Sequence, residues 1–455
     1  MDANRAAEIK EQVSLLCSDS RKNINLSPRD YEKYEVKRGL RNPDGTGVLA
    51  GVTRIGSVLG YYIEDGERLP MEGQLYYRGI NVQELINGFI QEDRFGFEET
   101  AYLLLFGELP STLELQSFNN ILDECRVMPP RFTEDMILPA PSKDVMNKLA
   151  RSVLALYSYD PHPDDNSYEE QMNKALRLIA RCPVIVAHSF AAKKHYVDEE
   201  SLYLHRPKPG LSIAENFLHA IRHDMKFTKE EARLLDLCLV LHAEHGGGNN
   251  SAFACRVLSS SGTDIYSAIS AAVGSLKGPR HGGANIKVME QFRCIEDNVK
   301  DWKDDDEIRC CLAKIADKQL GDGSGLIYGI GHAVYSLSDP RAEILKKFAR
   351  SVAERKGMAD ELNLFEAVER IGPGVLNEYR GESRVYSSNV DMYSGLVYKM
   401  LDIPDELFTP LFAVSRMVGW CAHRIEEVCN SSKIIRPGYK SVVKRHEYVS
   451  LGKRN

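Results

Sequence analysis

The sequence predicts a mainly helical, all-α fold with one minor β hairpin near the N-terminus. Three observations carry this. Apolar residues recur at helical spacing, as in Leu234, Leu235, Cys238 and Leu241, the stripe that one face of a helix turns toward a core. Ser212 followed by Glu215, and Thr228 followed by Glu231, are capping-box spacings set ahead of such stripes. Each marks a helix start, because hydroxyl and carboxylate satisfy amides that the first turn leaves open. The exception is Val48 to Tyr62, rich in Val, Ile, Tyr and Gly and followed by Asp65-Gly66, a turn pair that reads as a hairpin.

Along the rest of the chain, irregular loops are predicted at Asp160-Pro161-His162-Pro163-Asp164-Asp165 and around Arg206-Pro207-Lys208-Pro209-Gly210, from their proline, glycine and aspartate content. The acidic run Asp301-Trp302-Lys303-Asp304-Asp305-Asp306-Glu307 is read as a solvated helix face or loop rather than an interaction surface. No internal repeat and no low-complexity tract occurs. A chain of 455 residues with 43% hydrophobic content is long enough for two or three domains around a large core, but composition alone places no boundary between them.

Composition also narrows the function classes. A formal net charge of -7 argues against a nucleic-acid footprint or a basic membrane-binding surface, while leaving room for a local positive pocket that takes an anionic substrate. No apolar run is read as long enough to span a bilayer, and the acids near Met1-Asp2-Ala3-Asn4 fit neither a signal peptide nor a mitochondrial presequence. The expected location is the cytoplasm. Ten cysteines are too sparse for a disulfide scaffold, and without a Cys-x-x-Cys pair a thiolate zinc site or redox motif is not expected.

Chemistry concentrates in three segments: Gly278-Pro279-Arg280-His281-Gly282-Gly283-Ala284-Asn285, Gly331-His332-Ala333-Val334-Tyr335-Ser336-Leu337-Ser338-Asp339-Pro340-Arg341, and Asn389-Val390-Asp391-Met392-Tyr393-Ser394-Gly395. Together they hold two imidazoles, a carboxylate and a guanidinium among apolar helices. That inventory suits removal of a proton next to a carbonyl, with a base to take it and neutral donors for the developing enolate oxygen. Glycines around His281 let backbone and substrate approach closely. Taken alone, Asp391 also reads as a helix N-cap, and His242 with His245 as half of a metal site. The latter pair lacks the His-Glu-x-x-His spacing of zinc peptidases. Gly329 and Gly331 before His332 lack the strand and following acid of a dinucleotide loop.

In this order the three segments resemble the citrate synthase family. So do Leu75-Tyr76-Tyr77-Arg78-Gly79, Phe97 to Pro110, Leu211 to Leu218, His242-Ala243-Glu244-His245, Arg416-Met417-Val418-Gly419-Trp420 and Arg436-Pro437. The resemblance implies a two-domain helical fold: a large domain from residues 1–282 and 404–455, and a small domain from 283–403, with the site in the cleft between them. It implies citrate formation from acetyl-CoA, oxaloacetate and water, with 2-methylcitrate synthase, acting on propionyl-CoA, as the close alternative. A metal-dependent hydrolase or a non-catalytic helical binding protein are the remote ones.

By the same resemblance, Asp391 takes a methyl proton from acetyl-CoA, His281 donates to the thioester oxygen and His332 donates to the ketone oxygen of oxaloacetate. His245, Arg341, Arg416 and Arg436 would hold its carboxylates, as planar guanidinium forks do well, and His242 would be a core residue. Arg436 would reach across the interface of a homodimer. No cofactor and no metal is implied, coenzyme A entering as a thioester substrate. The sequence departs from the family at Ser336, where a basic residue would meet a coenzyme A phosphate. Lys277 and Arg280 are the expected substitutes.

Overall fold

The computed structural model describes residues 26–430 and 433–454, together with 7, 8, 10–14 and 17. The chain divides into two compact units, Met1–Ala50 with Arg436–Asn455, and Gly51–Ile435. In the first, helix α1 (Pro28–Lys33) starts at a Ser27 capping box closed by Asp30, and Lys440 lies over the Tyr34 ring.

The second unit opens with the predicted hairpin, set further along the chain than Val48. β1 (Gly56–Glu64) and β2 (Glu67–Tyr77) pair antiparallel across Asp65-Gly66, where both residues take positive φ as the tight turn requires. A two-residue β3 (Ile80–Asn81) adds a third strand. Helices α2 (Val82–Gln91), α3 (Phe97–Phe106), α4 (Thr112–Cys125), α5 (Val145–Ala155), α6 (Tyr168–Tyr196), α7 (Ile213–Ile221), α8 (Lys229–His242), α9 (Asn250–Ser259) and α10 (Ile265–Lys277) follow. Then come α11 (Ala284–Asn298), α12 (Asp305–Ala316), α13 (Pro340–Lys356), α14 (Ala359–Arg380), α15 (Val390–Met400) and α16 (Phe408–Asn430). The boxes at Ser212 and Thr228 cap α7 and α8 as read from the sequence. Asp304, in the acidic run, caps α12 through Asp306 N and Glu307 N.

Helix α16 is the central element, packing on α3, α6, α8, α9 and α10. Helices α11 to α15, from the segment 283–403, pack mainly on one another. They meet the rest through α13 on β2 and α8, α15 on α8, and α11 on α16.

One sequence expectation changes, and another holds with an addition. α6 is long and apolar enough to cross a membrane, but 78% of its apolar window is buried inside the protein, so its composition is that of a core helix. The loop at 160–165 is tied down: the buried Lys174 ammonium donates to the His162, Pro163 and Asp165 carbonyls. Proline content signalled irregular backbone and gave no sign of the cation that organises it.

Candidate active site

Five of the expected residues lie on elements that α8 and α16 bring together. His245 follows the end of α8 and is 9% exposed. Arg416, in the middle of α16, is fully buried, with Nε donating to the His242 carbonyl at 2.7 Å. Its Nη1 and Nη2, like His245 Nε2, are buried with no partner among the described residues. Burial lowers the Arg416 pKa to about 10, and the nearby Glu244 carboxylate partly opposes this. Burial also holds His245 well below the usual imidazole value, helped by the charges of Arg341, His332 and Arg416. The imidazole is therefore neutral at neutral pH.

His332 sits in the loop before α13, with its ring 5.3 Å from that of His245, edge to face. Its Nδ1 accepts hydrogen bonds from Val334 N at 3.0 Å and Tyr335 N at 2.9 Å. Two donors aimed at one nitrogen make it the acceptor, so the proton of the neutral ring is on Nε2. Gly329 and Gly331 in the same loop take φ of +88° and +95°, and a Cβ at Gly329 would come within 2.9 Å of Met392.

That contact couples the His332 loop to the start of α15. Asn389 N donates to Gly329 O at 2.9 Å and Asn389 Nδ2 to Gly331 O at 2.9 Å. Asn389 also caps α15 by accepting from Asp391 N at 3.0 Å. The capping task thus falls to Asn389, and the Asp391 carboxylate in the first turn is released for chemistry. Burial raises its pKa from 3.8 to about 6, against the opposing charges of Arg341 and Arg416 and with the support of Asp339.

His281 lies in the turn between α10 and α11. His281 N donates to Gly278 O and Gly282 N to Leu276 O, each at 2.9 Å, and a Cβ at Gly282 would stand 2.6 Å from the Leu276 oxygen. Thr409 Oγ1, at the start of α16, donates to Gly282 O at 3.0 Å. Burial lowers the His281 pKa to about 4, with Arg416 acting in the same sense. Its Nε2 is 3.0 Å from Ser251 Oγ, which also accepts from Trp420 Nε1 at 3.1 Å.

The family model for citrate synthase, C-terminal domain, matches residues 44–438. The chain belongs to the citrate synthase family. It is 35% identical over 424 residues to the citrate synthase of Synechocystis sp., covering 91% of this chain and 92% of the relative. It is 31% identical over 430 residues to 2-methylcitrate synthase 1 of Corynebacterium glutamicum, covering 92% and 99%. Among solved structures it resembles the ternary complex of carboxymethyl coenzyme A and oxaloacetate with citrate synthase from Thermoplasma acidophilum. That likeness has a TM-score of 0.74 and 27% identity over 92% of this chain and 99% of the other. The citrate synthase of Pyrobaculum aerophilum aligns with a TM-score of 0.71 and 30% identity, covering 90% and 94%. Family members are transferases, and the chain is accordingly an enzyme.

The remaining expected residues of this citrate synthase site are differently placed. Arg341 is buried at the start of α13, where Asp339 takes its Nε at 3.0 Å and its Nη2 at 2.7 Å, so one edge of the fork is occupied. Lys277 is paired with Asp144 at 2.9 Å, both about half exposed. Such a surface pair holds by about 0–1 kcal/mol and is readily exchanged. Arg280 is exposed beside His281. Arg436 is exposed and belongs to the other compact unit. His242 is a core residue, donating from Nδ1 to Cys238 O at 2.8 Å and packed against Phe412. Among the described residues no group of three or more His, Cys, Asp or Glu is arranged to hold a metal ion.

Several supporting residues escaped the sequence reading. His423 Nε2 meets Glu244 Oε1 at 2.8 Å, both fully buried. Arg256 Nη2 stands 2.7 Å from His423 Nδ1, and Arg256 is itself paired with Glu426 and Glu427. Gly419 and Trp420 each stand three or four residues from Arg416 and from His423, so one face of α16 serves the substrate cradle, the Glu244 carboxylate and the His281 partner in turn. Glycines do the same for the hairpin. A Cβ at Gly60 would stand 2.6 Å from Val334 O, one at Gly73 2.2 Å from Ser338 O, and one at Gly56 2.9 Å from Glu244 Cγ. Interior glycines in a strand mark close backbone approach, which was the available signal that the hairpin borders the site.

Proposed function

We propose that this enzyme condenses acetyl-CoA with oxaloacetate and water to give citrate and free coenzyme A. The observation that carries the reading is a buried cradle of donors without acceptors among the described residues: Arg416 Nη1 and Nη2 and, in its Nε2–H tautomer, His245. Buried donors left unpaired are costly, by about 1–3 kcal/mol each, and a carboxylate is the ligand that satisfies a guanidinium fork bidentately. Arg341 would meet the second carboxylate with the edge that Asp339 does not engage. His332, with its proton on Nε2, is the neutral donor for the ketone oxygen.

Asp391, with a pKa of about 6, is about nine-tenths ionised at pH 7 yet a stronger base than an ordinary aspartate. It takes a proton from the acetyl methyl group while His281, neutral because its pKa is near 4, donates to the thioester oxygen. This needs the His281 proton on Nδ1, which requires Ser251 to give its single proton to His281 Nε2 rather than to its other acceptor, Asn249 Oδ1 at 3.0 Å, when substrate is bound. The enol carbon then bonds to the ketone carbon of oxaloacetate as the thioester carbonyl re-forms and the enol proton returns to His281, and the ketone oxygen takes its proton from His332. Water cleaves the resulting thioester, releasing the coenzyme A thiol. No step calls on a metal or redox cofactor. Arg280 and Lys277, the latter after exchanging Asp144, are our assignments for the coenzyme A phosphates in place of a basic residue at Ser336.

The segment 283–403 carries His332, Arg341 and Asp391, whereas His245, His281 and Arg416 belong to the flanking parts. We assign these to a small and a large domain that draw together on oxaloacetate and complete the thioester site. Arg436 is assigned to the partner subunit's substrate in a homodimer, a contact that two-fold symmetry makes reciprocal.

The test is release of coenzyme A thiol from acetyl-CoA, with and without oxaloacetate. Oxaloacetate-dependent release is expected, and none under any condition refutes the reading. Propionyl-CoA is the second candidate donor, favoured by the likeness to 2-methylcitrate synthase 1. One methylene is worth about 1–3 kcal/mol in a fitted pocket, so kcat/KM for the two thioesters decides between them. Mixing Asp391→Asn with Arg436→Ala chains should restore activity in heterodimers if the site is shared. With subunit exchange verified, no gain over the parents removes Arg436 from this role.

A further inference from the structure

Tyr335 takes no part in the chemistry assigned above, yet its surroundings are those of a substrate contact. The side chain is 2% exposed and its hydroxyl is buried with no partner among the described residues. A buried phenol normally finds one. The ring lies against His332, centroids 4.5 Å apart and planes at 22°. It meets the His245 ring edge to face at 5.6 Å, and the Arg341 guanidinium lies 5.9 Å from its centroid. The charged groups that bear on the hydroxyl are Arg341 and Asp339, with Tyr77 beside them. Tyr77 donates to the Val240 carbonyl at 2.9 Å and makes no hydrogen bond with the Tyr335 hydroxyl. On the other side, Gly73 admits the ring: a Cβ there would stand 2.8 Å from Cδ1.

We propose that Tyr335 is a further substrate-binding residue, its hydroxyl donating to a carboxylate oxygen of the dicarboxylate while its ring fixes the plane of His332. This rests on the oxaloacetate reading given above. The two tasks reside in different atoms and separate by substitution. The hydroxyl is a fourth buried donor that, like Arg416 Nη1, Arg416 Nη2 and His245 Nε2, has no partner among the described residues. The ring, whose own backbone amide holds His332 Nδ1 at 2.9 Å, keeps the Nε2–H direction constant as the ketone oxygen gains charge. The first task sets affinity and the second turnover.

The experiment compares wild type, Tyr335→Phe and Tyr335→Leu. Tyr335→Phe should raise the oxaloacetate KM about 10- to 100-fold, the loss of one hydrogen bond to a charged group. It should leave kcat within about threefold and the acetyl-CoA KM at saturating oxaloacetate unchanged. Because the hydroxyl has no partner among the described residues, the urea unfolding midpoint of Tyr335→Phe should match or exceed the wild-type value. Tyr335→Leu should lower kcat in addition, through the lost stack on His332. An oxaloacetate KM within twofold of wild type in Tyr335→Phe overturns the proposal, as does a KM rise with a matching loss of stability, which marks a structural hydroxyl. A wild-type protein that releases no thiol overturns the oxaloacetate reading and this inference with it. An active wild type with an unaffected Tyr335→Phe overturns this inference alone.

Discussion

Replacing Asp391 with asparagine should make the protein inactive and more stable at once. The carboxyl pKa rises from 3.8 to about 6 on folding because burial disfavours the charged form. A raised carboxylate pKa means that the folded state binds the proton more tightly than the unfolded chain. The destabilisation is therefore absent below the unfolded value of 3.8, grows as pH rises and is complete above about 6. A shift of about 2 units corresponds to about 3 kcal/mol at pH 7.5, falling to about 1 kcal/mol at pH 4.5. Asparagine is nearly isosteric and carries no charge at either pH, so Asp391→Asn should recover up to that amount. Urea titrations of both proteins at the two pH values read the difference, and thiol release and exchange of the acetyl-CoA methyl protons read the activity. Turnover should fall about 10²- to 10⁴-fold. A variant no more stable than wild type at pH 7.5 would show that the carboxylate is not desolvated, and near-normal methyl exchange would remove Asp391 as the base.

The same titration sets the pH profile: kcat/KM should fall about tenfold per pH unit below about 6 as Asp391 is protonated, and a profile flat down to pH 5 contradicts the assignment. Arg416→Lys should raise the oxaloacetate KM about 100-fold or more, because a lysine has no second parallel N–H for the carboxylate; calorimetric binding of oxaloacetate measures it. Gly60→Ala places a Cβ 2.6 Å from the Val334 carbonyl oxygen and should both destabilise by about 1–3 kcal/mol and lower kcat by displacing the His332 loop. An alanine variant with wild-type kcat would show that the loop yields without moving the imidazole. Ser251→Ala removes the His281 Nε2 partner and should lower kcat about tenfold or more while sparing oxaloacetate affinity; equal losses in both would point to a general disturbance of the turn.

Legibility in the sequence followed the range of the interaction. Helix starts were readable because a capping box is complete within four residues, as at Ser212 and Glu215 or Thr228 and Glu231. The Asp65-Gly66 turn was readable for the same reason. The strand start was not: Val48 to Ile55 has strand-like composition, but pairing begins only at Gly56, where Tyr77 stands opposite, and that partner is 21 residues away. At the site, residue types and the family resemblance singled out His281, His332 and Asp391 as candidates but said nothing of their states. The proton on His332 is placed by amides at 334 and 335, and the carboxylate of Asp391 is freed because Asn389, two residues earlier, takes the cap. Both are short-range effects, legible once the backbone conformation is known and silent before it.

The long-range part of the site rests on one helix. α16 reads as an apolar stretch in which Arg416, His423 and Arg424 look like interruptions, yet all its residues from Phe408 to Ile425 are buried. Burial of three such side chains is tolerable only if each is answered, and Arg424 is answered by Gln171, Asn166 and the Thr263 carbonyl. His423 is answered within the protein by Glu244 and Arg256. Arg416 is answered in part by the His242 carbonyl and the charge of Glu244, leaving its two terminal nitrogens to a ligand. Gly419, between them, admits the Glu244 carboxylate, whose Oε2 a Cβ would meet at 2.4 Å. A side chain at 419 would thus push away the anion that makes a buried, half-satisfied arginine tolerable, so Gly419→Ala should weaken oxaloacetate binding and lower stability together. If that variant kept wild-type stability and weakened only substrate binding, Glu244 would not be the countercharge of Arg416, and the arginine would have to be stabilised by burial among neutral dipoles instead.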